Sequence, residues 1–197
     1  MKRIAILLLA ATCLLAGCSR GQKFTVQGTL KDTGFTGATA VKVDYDMIQE
    51  TLEAPVVDDA FTIQGRVKKP TIAKLQAVGT EKRLSRVFIA EKGNITFEKG
   101  LAVGTPLNDS TSAFIHRVSD LAKEYKGQKE AQNKAIEAEF TAFVTRHSDD
   151  PCAVFALMFG NHKFNPDLMR KLIDGLSPAI KNDGEILALE KELRFAF

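Results

Sequence analysis

Hydrophobic positions along this 197-residue chain change period near residue 105. Before that point they alternate in short runs separated by turn residues. Residues 24–30 alternate and break at Lys31-Asp32-Thr33-Gly34, and Val41, Val43 and Tyr45 alternate with Lys42 and Asp44. Residues 51–57 form a weaker extended stretch. Pro55 suits that stretch to a sheet edge, because proline cannot donate to a ladder. Asp58-Asp59 reads as a turn before the strand 61–67, and Pro70 precedes residues 72–78, where 73, 75 and 77 share a face. Residues 84–90, a turn at Lys92-Gly93-Asn94 and residues 95–97 complete the series. Period-two alternation with Gly, Asn and Asp punctuation predicts six to eight strands over 24–104, in a small antiparallel β-sandwich or open barrel.

Beyond 105 the period becomes helical. Phe114, Ile115, Val118, Leu121, Ala122 and Tyr125 follow one stripe, with Asn108-Asp109-Ser110 offering N-cap oxygens. Ile136, Phe140, Phe143, Val144 and His147 form a second. Asp150-Pro151 is a helix start, and residues 152–159 are apolar nearly all round, which predicts a buried central helix. Asn165-Pro166 starts another helix, which Gly175 stops. A last one begins near Gly184 with Ile186, Leu189 and Leu193 on one side. The expectation is an α+β fold: strands first, then five helices over 105–197, packed on or beside the sheets.

Ahead of the strands lies a different pattern. Lys2 and Arg3 precede an apolar run over 4–15 broken only by Thr12, and Leu15-Ala16-Gly17-Cys18 follows. A short apolar run leading through small residues into cysteine predicts a lipoprotein signal over 1–17, with Cys18 acylated. Residues 18–23 would be a lipidated tether. Several acyl chains hold a protein firmly to a bilayer, so a membrane is the expected partner. Ser19 rather than Asp follows the cysteine, which favours an outer-membrane anchor facing the periplasm.

Charge and cysteine content narrow the field. Without Lys2 and Arg3, the 27 basic residues become 25 against 24 acidic ones. Such a balance does not predict a nucleic-acid partner, which calls for a clustered basic footprint. Of three cysteines, Cys13 leaves with the signal and Cys18 carries lipid. Cys152 then stands alone, so neither an internal disulfide nor a Cys-x-x-Cys pair is expected.

Cys152 is the first candidate for chemistry. It follows Asp150 at a helix N-terminus, where the dipole lowers a thiol pKa, and His147 lies five residues upstream as a potential base. Against this, free cysteines favour the interior, and the apolar run after Cys152 reads as core. The histidines are His116, His147 and His162, and Asp149, Asp150 and Cys152 lie near His147. Since no pair has zinc-type spacing, neither a metal nor a cofactor is expected. His147 reads more simply as a cation at a helix C-terminus. Lys68, Lys69 and Lys181 read as solvated charges, Asn94-Ile95-Thr96 as a sequon without consequence, and Phe195-Ala196-Phe197 as a continuation of the last helical stripe.

Three segments carry a family resemblance: Phe24-x-x-x-Gly28; Asp59-x-Phe61-x-x-x-Gly65-x-Val67-x-x-Pro70; and residues 87–95, with Glu91, Gly93 and Ile95. Together with Gly104-x-x-Leu107-Asn108 and the run 143–159, they resemble a β-rich domain of unknown function found in Bacteroidota envelope lipoproteins. The resemblance covers roughly residues 22–193. In that family the domain usually precedes a helical connector and a thioredoxin-like thiol–disulfide oxidoreductase domain. Here the chain stops at Phe197, where the oxidoreductase would begin, and Ala60 stands where the family often has glycine. The resemblance therefore implies a lipid-anchored binding or interaction module without catalysis of its own, serving a small envelope ligand or a protein partner. The alternative is an accessory factor for thiol–disulfide exchange, acting with a separate thioredoxin-like oxidoreductase.

Overall fold

The computed structural model describes residues 21–45, 51–81 and 83–194. The expected signal, Cys18 and Phe195-Ala196-Phe197 lie outside them. The strands are β1 (Gln22–Thr29), β2 (Ala40–Tyr45), β3 (Leu52–Pro55), β4 (Ala60–Val67), β5 (Thr71–Val78), β6 (Ser85–Ala90), β7 (Gly93–Glu98) and β8 (Leu101–Val103). They form two four-stranded sheets, ordered β4-β1-β7-β8 and β3-β2-β5-β6. Among the described residues both sheets stay open and no barrel closes. The fold is α+β, and β3 is the edge strand that Pro55 suggested.

Two expectations need correction. The sandwich is not purely antiparallel, because β1 pairs with β7 in parallel, Phe24 opposite Gly93 and Val26 opposite Ile95. The chain makes the whole second sheet before returning to β1, and alternation carries no information about a distant partner's direction. Gln22 and Lys23, expected to end a tether over 18–23, are strand residues that pair with Val67 and Arg66 in β4.

Inside the first sheet the resemblance motifs acquire a physical meaning. β1 and β4 each contain Phe-x-x-x-Gly, and their antiparallel register sets Phe24 against Gly65 and Gly28 against Phe61. Each ring lies over the facing glycine: a Cβ on Gly65 would collide with the Phe24 ring, and one on Gly28 would crowd the Phe61 ring. The turn into β4 is made by Asp58 (φ 50°) and Asp59 (φ 61°), both left-handed. Val57 and Ala60 exchange backbone hydrogen bonds of 2.9 and 3.0 Å around them. This is the two-residue hairpin geometry in which aspartate tolerates positive φ, so Ala60 can sit in the strand with no need for glycine.

Five predicted helices are present: α2 (Pro106–Glu124), α3 (Lys129–Arg146), α4 (Pro151–Gly160), α5 (Pro166–Asp174) and α7 (Gly184–Arg194). Two single turns add to them, α1 (Leu30–Thr33) and α6 (Pro178–Lys181). α1 occupies the expected break: Thr29 Oγ1 accepts from the Asp32 N–H at 3.0 Å, and Gly34 closes the turn at φ 72°. A four-residue helix is too short to leave a periodic trace.

The helices make a third layer. Phe24, Val26, Val43, Leu75, Phe88 and Phe97 fill the space between the sheets. A second core lies on the outer face of the β3-β2-β5-β6 sheet, where the cross-strand pair Ile72–Ile89 meets the α4 residues Cys152, Val154 and Leu157. Phe88 and Ile89 thus point to opposite cores, which explains why consecutive β6 residues are all buried. Lys74, on the outer face with Ile72, bonds Glu185 of α7 at 2.5 Å. As its composition predicted, α4 is the buried centre of the helical half.

Candidate functional site

Where the sheet meets α2, polar groups replace apolar ones. β6 is an edge strand, so its outward N–H and C=O groups require partners. Asn108 supplies them: Oδ1 accepts from the Ile89 N–H at 2.9 Å and Nδ2 donates to the Ile89 carbonyl at 2.8 Å. Glu91, 6% exposed, turns its Oε1 onto the N–H groups of Leu107 (2.8 Å) and Asn108 (3.1 Å). A carboxylate at these unpaired first-turn donors also complements the helix dipole. Asn108-Asp109-Ser110 is therefore not the cap. Those residues lie inside α2, whose N-cap is Thr105, and Asp109 reaches back to the Gly104 N–H at 2.7 Å. Glu91 and Asn108 are far apart in sequence, and local periodicity carries no sign that they meet.

A second cluster joins α2, α3 and α4. His147 caps the C-terminus of α3, and its Nδ1 lies 2.7 Å from Asp150 Oδ2. With Nδ1 donating to that carboxylate, Nε2 accepts from Ser110 Oγ at 3.1 Å. Asp150 Oδ1 meanwhile accepts from the Cys152 N–H at 2.8 Å, the predicted cap of α4. Ser110 is the member that sequence reasoning missed, because its link to His147 spans 37 residues.

In its connectivity the Ser110–His147–Asp150 series matches the order in which a serine hydroxyl is activated for attack. Such chemistry also needs N–H donors for a developing oxyanion. The nearby first-turn donors are engaged: Leu107 and Asn108 with Glu91, Asp109 with the Thr105 carbonyl, Cys152 and Ala153 with Asp150. The cluster's demonstrable work is to bond three helices together.

Cys152 does not behave as its helix position suggested. It is 0% exposed, and its thiol donates to the Leu107 carbonyl at 3.5 Å. Burial pushes its pKa far above the ordinary thiol value, and the charges of Asp150 and Glu91 push it the same way. Desolvation and two carboxylates outweigh the dipole, so the reactive-thiolate reading of Cys152 with His147 finds no support. The donor atoms of His147, Asp150 and Cys152, residues that the sequence brought together but whose spacing did not fit zinc, lie within 4.8 Å of one another. Each residue is already hydrogen-bonded in the fold, and no orphaned donor atom points to an ion.

A cleft of about 750 Å³ opens where β1 begins and β4 ends. Phe24, Tyr45 and Leu52 form its apolar part, and Lys23, Arg66 and Lys68 bring cationic side chains to it. Phe24 and Tyr45 meet edge to face with centroids 5.9 Å apart. The Tyr45 hydroxyl donates to the Arg66 carbonyl at 3.5 Å, and the Arg66 guanidinium donates to the Gly21 carbonyl at 3.0 Å. Lys68, expected as a plain solvated charge, is exposed but borders this cleft. Elsewhere, Lys163 Nζ sits 3.3 Å over the Phe159 ring beside a smaller cavity of about 320 Å³, and desolvation lowers its pKa.

Fold and cleft together define an α+β protein in which two open sheets and a helical layer present a cationic, aromatic-floored recess. No protein-family model matches the chain, and comparison with curated proteins and with solved structures finds no match either.

Proposed function

We propose that this chain is a lipid-anchored binding module of the cell envelope, without catalysis of its own, which holds its ligand in the cleft at the start of β1. The carrying observation is the cleft itself. Its volume falls within the range of small-molecule sites, and apolar and cationic residues both line it. Residues of β1, β2, β3 and β4 line it. Acylation at Cys18 and an outer-membrane location facing the periplasm complete the reading, resting on the signal pattern and on Ser19. The thiol-exchange alternative depended on an accessible Cys152, and burial of that side chain argues against it.

Mass spectrometry of protein purified from envelope membranes tests the reading. The expected mass begins at an acylated Cys18 and, under native conditions, includes a non-covalent adduct that Arg66→Glu removes. An unmodified Cys18 with the leader still attached would overturn the anchoring. An adduct-free protein, or an adduct indifferent to Arg66, would overturn the cleft as ligand seat.

A further inference from the structure

We propose that the cleft seats the phosphate headgroup of an anionic phospholipid in the same leaflet that holds the anchor. The inference deepens the proposed function and, for its geometry, rests on acylation of Cys18. Gly21, which lines the cleft, follows Cys18 by three residues. Three residues span at most about 11 Å when fully extended. An acylated Cys18 therefore keeps the cleft within little more than a Debye length of the headgroups, which is about 8 Å at physiological ionic strength.

What faces the bilayer at this end is cationic. Lys23, Arg66, Lys68 and Lys69 are exposed at the start of β1 and the end of β4. Lys92 is exposed just before Gly93, which pairs with Phe24. Of the described carboxylates nearby, Asp44 and Glu91 are engaged elsewhere. Asp44 pairs with Lys42 at 3.4 Å and accepts from Gln76 at 2.5 Å. Glu91 is buried against α2, whereas Glu53 is exposed opposite Lys42 in the β2–β3 ladder, so that Lys42 stands between two carboxylates. Among the described residues these five cations outnumber the carboxylates at the start of β1, a local excess that the near-neutral total charge conceals. Arg66 and the lysines suit phosphate oxygens, while the half-buried Leu52 offers apolar contact to the glycerol and first methylenes behind them. Free phosphate would use only the first half of that surface.

Co-sedimentation with vesicles provides the test. The chain from Ser19 onward retains every described element, since these begin at Gly21 and Gln22, and it carries neither leader nor acyl group. It should bind phosphatidylglycerol-containing vesicles, release them at high salt, and ignore pure phosphatidylcholine. Each neutralised lysine should weaken binding by about fivefold, so Lys23→Gln with Lys68→Gln should weaken it by about 25-fold. Leu52→Gln, which leaves charge unchanged, should also weaken binding if the cleft rather than the surface alone is engaged. Circular dichroism checks that each variant is folded. Equal binding to neutral vesicles, or no response to these substitutions, overturns the proposal. Protection against thermal unfolding by inorganic phosphate equal to that by phosphatidylglycerol would assign the site to a soluble anion and overturn the lipid. Because this chain is unacylated, its vesicle binding and the mass of Cys18 fail independently.

Discussion

The ring of Phe24 lies across Gly65, its antiparallel partner in β4, at a point where any Cβ would strike both that ring and Leu52. Four residues along, Phe61 covers Gly28 less tightly. Each strand thus supplies one aromatic and receives one, and the pairing specifies the β1–β4 register more tightly than alternation does. A shift by one residue would separate both pairs and turn the apolar face outward. Gly65→Ala should therefore destabilise the protein by about 1–3 kcal/mol through overpacking, measured by urea unfolding. Phe24→Leu should recover part of that loss in the Gly65→Ala background while destabilising the native background. Additive effects of the two would show that ring and glycine do not interact.

Asn108 performs for β6 what a further strand would otherwise do. Replacing it by leucine leaves the N–H and C=O of Ile89 buried without partners, each at about 1–3 kcal/mol. A loss of about 3 kcal/mol or more is expected in denaturant unfolding. Asn108→Asp should be worse than leucine at neutral pH. It exchanges the donor to Ile89 for a second carboxylate beside Glu91, which Asn108 Nδ2 now contacts at 3.3 Å. A harmless Asn108→Asp would show that the amide does not bind the edge.

Cys152 links stability to alkaline pH. Burial raises its pKa in the folded protein, so the thiol stays protonated there while an unfolded chain ionises near pH 8.5. Below that value the contribution is fully present. Above it the unfolded state holds fewer protons than the folded one, and stability falls by up to about 1.4 kcal/mol per pH unit. The difference in unfolding free energy between wild type and Cys152→Ala, followed from pH 7 to 10, should narrow accordingly. A difference independent of pH would contradict the burial. Maleimide should leave the native thiol unmodified and label it in urea.

The seam of Ser110, His147 and Asp150 should register in stability rather than in turnover. Asp150→Ala removes the α4 cap and the His147 partner together, with an expected loss of about 1–2 kcal/mol in thermal unfolding. Ser110→Ala removes one half-buried hydrogen bond and should lower stability by about 1 kcal/mol. A p-nitrophenyl ester should be hydrolysed at the buffer rate by both wild type and Ser110→Ala. Turnover that depends on Ser110 would overturn the non-catalytic reading.

The proposed lipid anchoring and cleft binding should also separate in cells. A Cys18→Ala variant should move from membrane pellet to soluble fraction, since weak electrostatic contact alone does not withstand high-salt washing. Retention in the washed pellet would point to another attachment.

Local periodicity and turn chemistry in the sequence determined much of this protein. They marked the change from strand to helix near residue 105, the edge position of Pro55, the buried α4 and the starts at Asp150 and Asn165. All of these depend on contacts a few residues apart, where residue type acts directly on backbone conformation. The parallel β1–β7 pair, the clamp of Asn108 on Ile89, the reach of Glu91 to α2 and the link from Ser110 to His147 were decided only in the tertiary structure. So was the cationic rim of the cleft, assembled from strands that meet through register. Each joins groups distant in the chain, and hydrophobic pattern states which side of an element is buried, not what it is buried against.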